Sequence, residues 1–307
     1  MFDAPPPLTG LSRIGASDAE IIEAIEHVAG PLPQVALSYE ADIKTVWLTI
    51  RPEPKPVFTL PLLVSVGKVQ RAIWSLWGAS AQSANAPVRF LAFRGEGPVF
   101  TLGGDLDFYL DCLAKNDRAA LEEYARVSVE GAMWNASGLR NTVITVATIH
   151  AKAIGGGIDA PRSCNVMVAE KRASFVYPEV KFNHFPITAV PVLARRVGPR
   201  EVEAILMHGD EFSATDFHRL GALEAVVADG TGEQWIRQYC AETLPMFGAR
   251  RALFASLHQR NHRYEEELKF GAKLWVDCML GMSPSEISKL QRISQMQERM
   301  LSRMYPA

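Results

Sequence analysis

The spacing of apolar residues changes period several times along the chain. From Ser17 to Gly30 it is helical, behind Ser17-Asp18-Ala19-Glu20, which has the form of a capping box, so a short amphipathic helix is predicted there. Val35 to Tyr39 and Thr45 to Ile50 are β-rich runs separated by Glu40-Ala41-Asp42-Ile43-Lys44, and they predict a hairpin. Leu60 to Trp77 returns to helical spacing, Val88 to Phe93 has the pattern of a buried strand, Ala119 to Trp134 is helical, and Val143 to Ile149 reads as a second buried strand. Val166 to Ala169 adds a third short strand. Buried strands alternating with helices predict an α/β fold with crossover connections.

After the capping-type start Ser213-Ala214-Thr215-Asp216 the pattern is mainly helical, with a polar, charged helix expected around Asn261 to Lys269. Near the C-terminus Ile287, Leu290, Ile293, Met296 and Met300 recur at steps of three and four. Such a stripe predicts a packing face, within the chain or between subunits, in preference to a substrate lid. The chain thus divides into an N-terminal extension over 1–33, a core over 34–230 and a helical C-terminal region over 231–307.

Composition narrows the partners. Lys and Arg number 32 against 34 Asp and Glu in 307 residues, so no basic surface invites nucleic acid. The longest apolar stretches, such as Phe58 to Val66, fall far short of the roughly 20 residues needed to span a bilayer, and no membrane partner is expected. Cys112, Cys164, Cys240 and Cys278 are too widely spaced for a disulfide framework or a zinc site, so neither a metal nor any other cofactor is expected, and a reducing cytoplasm is the expected setting. The opening MFDAPPPLTG has an acid and three prolines where an export signal needs basic residues and an apolar run, so none is expected.

Two segments place glycines and a carboxylate just after predicted strands. Phe100-Thr101-Leu102-Gly103-Gly104-Asp105-Leu106 follows Val88 to Phe93, and Gly155-Gly156-Gly157-Ile158-Asp159 follows Val143 to Ile149. Glycines there let backbone N–H groups approach a ligand without a Cβ in the way, and a helix start beyond adds positive dipole. Together the segments predict a two-donor oxyanion hole. Gly155 to Gly157 lacks the G-x-G-x-x-G spacing, and no P-loop lysine is present, so nucleotide binding is disfavoured.

These two segments in this order, followed by Pro178-Glu179, Gly209 and Ala222-Leu223-Glu224-Ala225-Val226-Val227, resemble the crotonase (enoyl-CoA hydratase/isomerase) superfamily. The wording FTLGGDL, Trp275-Val276-Asp277 and the overall length resemble, within it, the diffusible signal factor synthases, which make cis-2-unsaturated fatty-acid signals. The resemblance spans roughly 34–300 and implies an α/β fold, a crotonase-type ββα spiral core with a helical C-terminal region. It implies oxyanion donors at Leu102, with Gly103 beside it, and at Gly156. It also implies a carboxylate pair, Glu179 as principal base/acid and Asp159 as its partner. The implied reaction converts a 3-hydroxyacyl thioester of acyl-carrier protein or CoA to a 2-unsaturated thioester and then hydrolyses it, in a homotrimer or dimer of trimers. Other crotonase reactions, or acyl-thioester binding without turnover, are the alternatives.

The sequence departs from the pattern at three places. Asp159 stands where hydratases and signal synthases carry Glu, one methylene longer, and a misplacement of about 1 Å can cost ~10²-fold in rate. Ile187 stands where dienoyl isomerases need a second Asp, which argues against that reaction. Ile187 and Val190 replace the glycines usual after Phe-Pro, and both are expected to shape the acyl pocket. Pro161 sits in the first turn of the helix beyond Gly157, where proline is tolerated. Asp105 is read as a helix cap, His150 and His184 as structural histidines, Cys164 as core, and Trp74, Trp77 and Trp134 as packing anchors.

Overall fold

The hairpin forms one edge of the main sheet. In the computed structural model, which describes residues 17–83, 85–260 and 263–304, strand β1 (Val35–Glu40) runs antiparallel to β2 (Thr45–Ile50). There follow β3 (Phe90–Gly95), β4 (Ile144–Ile149), β5 (Ala153–Ile154), β6 (Val166–Glu170), β7 (Ser174–Val176), β8 (Glu211–Ser213) and β9 (Ala225–Val227). The main sheet has the order β1-β2-β3-β4-β6-β9 and is parallel from β2 onward. Every residue of β2 and β4 is buried, as a parallel sheet covered on both faces requires. The run expected from Val88 enters the sheet only at Phe90, which pairs with the first residue of β2, Thr45.

A smaller layer has the order β5-β7-β8. Single bridges extend it from Thr101 to Ala153 and from Gly104 to Phe58. The chain therefore repeats one unit: a strand in the main sheet, a short extended piece in the small layer, then a helix or helical turn. Phe58 leads into the helix Leu60–Trp77, Thr101 into Leu106–Lys115, β5 into the turns Gly155–Ile158 and Asp159–Arg162, and β7 into Glu179–Phe182. This is the ββα spiral expected. Its small-layer pieces are only two or three residues long, too short to carry a period in the sequence.

Ser17 caps the helix Asp18–Ala29 reciprocally with Glu20, as its sequence predicts. That helix and Leu60–Trp77 cover one face of the main sheet, around Ile25, Leu62, Val69 and Trp77. Ile236, Cys240 and Phe247 from later helices cover the other. Helices Tyr264–Leu280 and Pro284–Met304 close a separate aromatic cluster with Arg118–Ala136. The helix expected from Asn261 begins at Tyr264; Asn261 and His262 lie outside the described residues. Arg162 is wholly buried and pairs with Glu224 at 3.0 Å, which ties the glycine-led turn to the Ala222–Val227 segment. Removing Glu224 would leave the buried Arg162 charge without its carboxylate.

Candidate active site

The small layer brings the two glycine segments together. Phe100 N–H donates to Lys152 O at 2.9 Å and Ile154 N–H to Thr101 O at 3.1 Å, so the two loops run side by side. A Cβ on Gly157 would stand 2.6 Å from Thr101 Cγ2, which makes glycine obligatory for this approach. Gly155 has φ +56, and a Cβ there would lie 2.2 Å from Glu179 Oε1. The helix expected beyond the glycines is brief, a 3-10 turn and then Asp159–Arg162, and Pro161 fits because that single turn asks little of its missing N–H.

Each amide named from the sequence has an internal acceptor. Gly156 N–H donates to Glu179 Oε1 at 3.0 Å. Gly103 N–H donates to the Thr101 hydroxyl at 3.0 Å, and Leu102 N–H donates to Pro56 O at 2.7 Å. The Leu102 bond belongs to the short pairing that also joins Phe58 N–H to Gly103 O at 2.8 Å. Sequence reading could not see this acceptor, because it comes from the loop between β2 and the next helix.

The two carboxyl groups sit in unlike surroundings. Asp159 is 2% exposed, and both its oxygens are occupied: Oδ1 accepts from Tyr177 OH at 2.7 Å and Oδ2 from Thr188 Oγ1 at 2.8 Å. Burial pushes its pKa up to about 7, against the pull of those two donors. Glu179 has one oxygen on Gly156 and its Oε2 buried without a hydrogen-bond partner among the described residues. Burial, with the nearby Asp159 charge adding to it, pushes Glu179 up to about 8. Burial therefore favours the protonated form of both carboxyls relative to free ones.

Asp159, Glu179, Leu102, Gly103 and Gly156 all line one cavity of about 640 Å³, mostly apolar. Ile187 lines it too, as expected. Val190 does not: it lies one turn on, in the helix Ala189–Ala194, and is 53% exposed, so this cavity is shaped without it. Part of its wall is aromatic, with Tyr109 and Trp275 in edge contact at 5.1 Å, Tyr124 against both, and the Tyr109 hydroxyl packed against Gly104. Trp275 enters the sequence reading only through its Trp-Val-Asp wording, and Tyr109 and Tyr124 carry no local signal at all. His184 also lines the cavity. Asp105 does cap its helix, accepting from Phe108 N–H at 3.1 Å, and His150 bonds Gly97 O at 2.9 Å. Cys164 is fully buried, and Trp74 meets Trp134 edge-on at 5.7 Å.

The C-terminal stripe roofs this cavity. Leu290, Ile293, Met296 and Met300 all face it, and Gln297 Nε2 donates to Leu102 O at 3.0 Å. Lys55 anchors the same helix through Glu298 at 2.9 Å. The expected packing face is present in Leu290, which is 1% exposed, whereas Met296 is 66% exposed at the rim.

Among the described residues no helix is long and apolar enough to cross a membrane. Comparison with known proteins agrees with the geometry. Mevalonyl-coenzyme A hydratase of Beauveria bassiana is 25% identical over 52% of this chain and 56% of its own length. Cyclohexa-1,5-dienecarbonyl-CoA hydratase of Thauera aromatica is 22% identical over 53% of this chain and 60% of its own. The matched segment thus spans less than two thirds of these curated relatives. In three dimensions an enoyl-CoA hydratase from Bacillus halodurans superposes with a TM-score of 0.69 at 19% identity, over 85% of this chain and 99% of that one. DspI of Pseudomonas aeruginosa does so with a TM-score of 0.63 at 20% identity, over 76% and 84%. Residues 84–277 match the family model described as enoyl-CoA hydratase/isomerase, and the chain belongs to that family.

Proposed function

We propose that this protein dehydrates a 3-hydroxyacyl thioester to a 2-unsaturated one and then hydrolyses the thioester to the free unsaturated acid. The observation that carries this reading is the placement of Gly156 N–H and the Glu179 carboxyl together in the lining of one mostly apolar cavity. A thioester α-proton becomes removable when fixed N–H groups meet the developing enolate oxygen. In this reading the thioester oxygen displaces Glu179 Oε1 from Gly156, and rotation of the freed side chain carries the carboxyl towards Cα. A second donor needs an internal bond to yield. The Thr101 hydroxyl can turn away from Gly103 N–H at little cost, whereas Leu102 N–H is held in a main-chain pairing.

Glu179 takes the α-proton as carboxylate and passes it to the departing β-hydroxyl, which leaves as water while the carbon–carbon double bond forms, so that the carboxylate is regenerated. A group that titrates near neutrality serves both directions of such a proton transfer. Asp159, with both oxygens already accepting hydrogen bonds, orients Tyr177 and Thr188 and assists from there. That constraint favours a second reading, in which Glu179 and the amides alone perform thioester hydrolysis. CoA or acyl-carrier protein supplies the thioester; the relatives named for CoA hydratases support the former. A homotrimer or dimer of trimers is supported by exposed apolar side chains on the later helices, Leu253 and Leu257 on one and Phe270 and Leu274 on the next.

Incubation with 3-hydroxyacyl-CoA and 3-hydroxyacyl-carrier protein, followed by mass spectrometry, tests the proposal. Enoyl thioester and free acid are both expected. Glu179→Gln should slow their formation ~10²–10⁴-fold. Full turnover in that variant would remove Glu179 from its role, and free acid without any enoyl product would favour plain hydrolysis.

A further inference from the structure

His184 follows Glu179 by five residues and stands in the same cavity, yet the reaction above leaves it unused. It is 8% exposed, and neither Nδ1 nor Nε2 has a hydrogen-bond partner among the described residues. The ring lies against Trp275 and Phe185, at centroid distances of 5.5 Å and 5.7 Å. Its neighbours along this wall, Phe182, Ile187 and Trp275, offer apolar surface. Burial alone lowers its pKa to about 4, so the imidazole is neutral, with one nitrogen donating and the other accepting.

An unpartnered polar ring in an apolar wall carries a desolvation cost that a correctly placed ligand atom can relieve. A hydroxyl matches a neutral imidazole in either tautomer, because it both donates and accepts. The position also matters. The His184 main-chain N–H donates to Glu179 O at 3.0 Å, whereas its ring makes no hydrogen bond to the Glu179 carboxyl, which is joined to Gly156, so the ring is left for a contact of its own with the acyl chain.

We infer that His184 is a specificity residue that selects acyl chains carrying a hydroxyl group beyond the β-carbon. This rests on the acyl-thioester reading of the cavity and adds a substrate class to it. Such a site discriminates mainly by rejection: a plain chain leaves the imidazole buried and unpaired, whereas a hydroxylated one pairs it.

Calorimetric titration with non-hydrolysable acyl-CoA thioethers of equal length separates the possibilities. One ligand is plain, and the others carry a hydroxyl at successive carbons beyond the third. For the unaltered protein, one position along the series should bind roughly tenfold tighter than the plain chain. His184→Leu should abolish that preference, and His184→Gln, which retains a donor and an acceptor, should keep most of it. Equal or weaker binding of every hydroxylated chain overturns the inference, as does a preference that survives in His184→Leu. If the plain thioether also fails to bind, the acyl-thioester reading itself falls; if the plain one binds and hydroxyl makes no difference, only the role of His184 does.

Discussion

Two parts of the cavity lining are built in opposite ways. The reactive part consists of main chain, from two glycine segments zipped together by the small layer, with one carboxyl inserted between them. The rest of the lining consists of side chains from distant segments: Tyr109 and Tyr124, the stretch after Glu179, Trp275, and the C-terminal helix. Main-chain geometry repeats wherever the fold repeats, so the first part can be common to a family whose members act on unlike acyl groups. Side chains gathered from separate helices can change one at a time, so the second part is where this chain sets its own substrate. Chemistry and selectivity thereby rest on different kinds of groups, main chain and side chain.

Substitutions in the two parts should fail differently. Leu290→Ala, at the buried foot of the roof helix, opens a void in the aromatic cluster and should cost about 2–5 kcal/mol in unfolding free energy. Its kinetic signature should be a raised KM for long chains, with kcat less affected. Denaturant titration and a chain-length series would measure both, and a variant as stable as the parent would mean that the roof helix does not close the cavity. Gly155→Ala should do the reverse. Its Cβ would stand 2.2 Å from Glu179 Oε1, at a φ of +56 that alanine resists, so the carboxyl must move. A displacement on the order of 1 Å costs ~10²-fold in rate. The loss should fall on kcat, and unchanged turnover would show that the carboxyl acts from some other position.

The same division explains what could be read from the sequence. The glycine segments were legible because close approach and positive φ leave few residue types able to serve, and the order of strands and helices was legible because each long element has a period. Pro178-Glu179 and Asp159 were legible as residues but not as states. The hydrogen bonds that tie up Asp159 come from Tyr177 and Thr188, the second of which lies in a loop with no period to betray it. Pro56, which engages Leu102, was hidden for the same reason. Val190 misled because spacing after Phe-Pro cannot say which side of a short helix faces the cavity. The aromatic wall had no local signal: its members are core residues by type, and only the tertiary arrangement makes them a pocket.

The smallest expected effect bears on the reactive part alone and needs no substrate. A glutamate in the unfolded chain loses its proton near the ordinary value of 4.5, whereas burial raises folded Glu179 to about 8. Between those values the folded protein holds a proton that the unfolded chain has released, so folding stability must fall as pH rises through the window. For one fully linked proton the fall is about 2 kcal/mol between about pH 6 and pH 8 near room temperature, with solvent entry reducing it. Asp159, raised to about 7, adds a further decline over the lower part of that range. Glu179→Gln, which cannot ionise, should remove the first contribution and leave the second, so its stability should gain on the parent as pH increases. Chemical unfolding of both proteins across this range would measure the difference. Parallel curves would mean that the carboxyl is already solvated and ionised in the folded chain, and the contrast between a dry reactive part and open solvent would have to be abandoned.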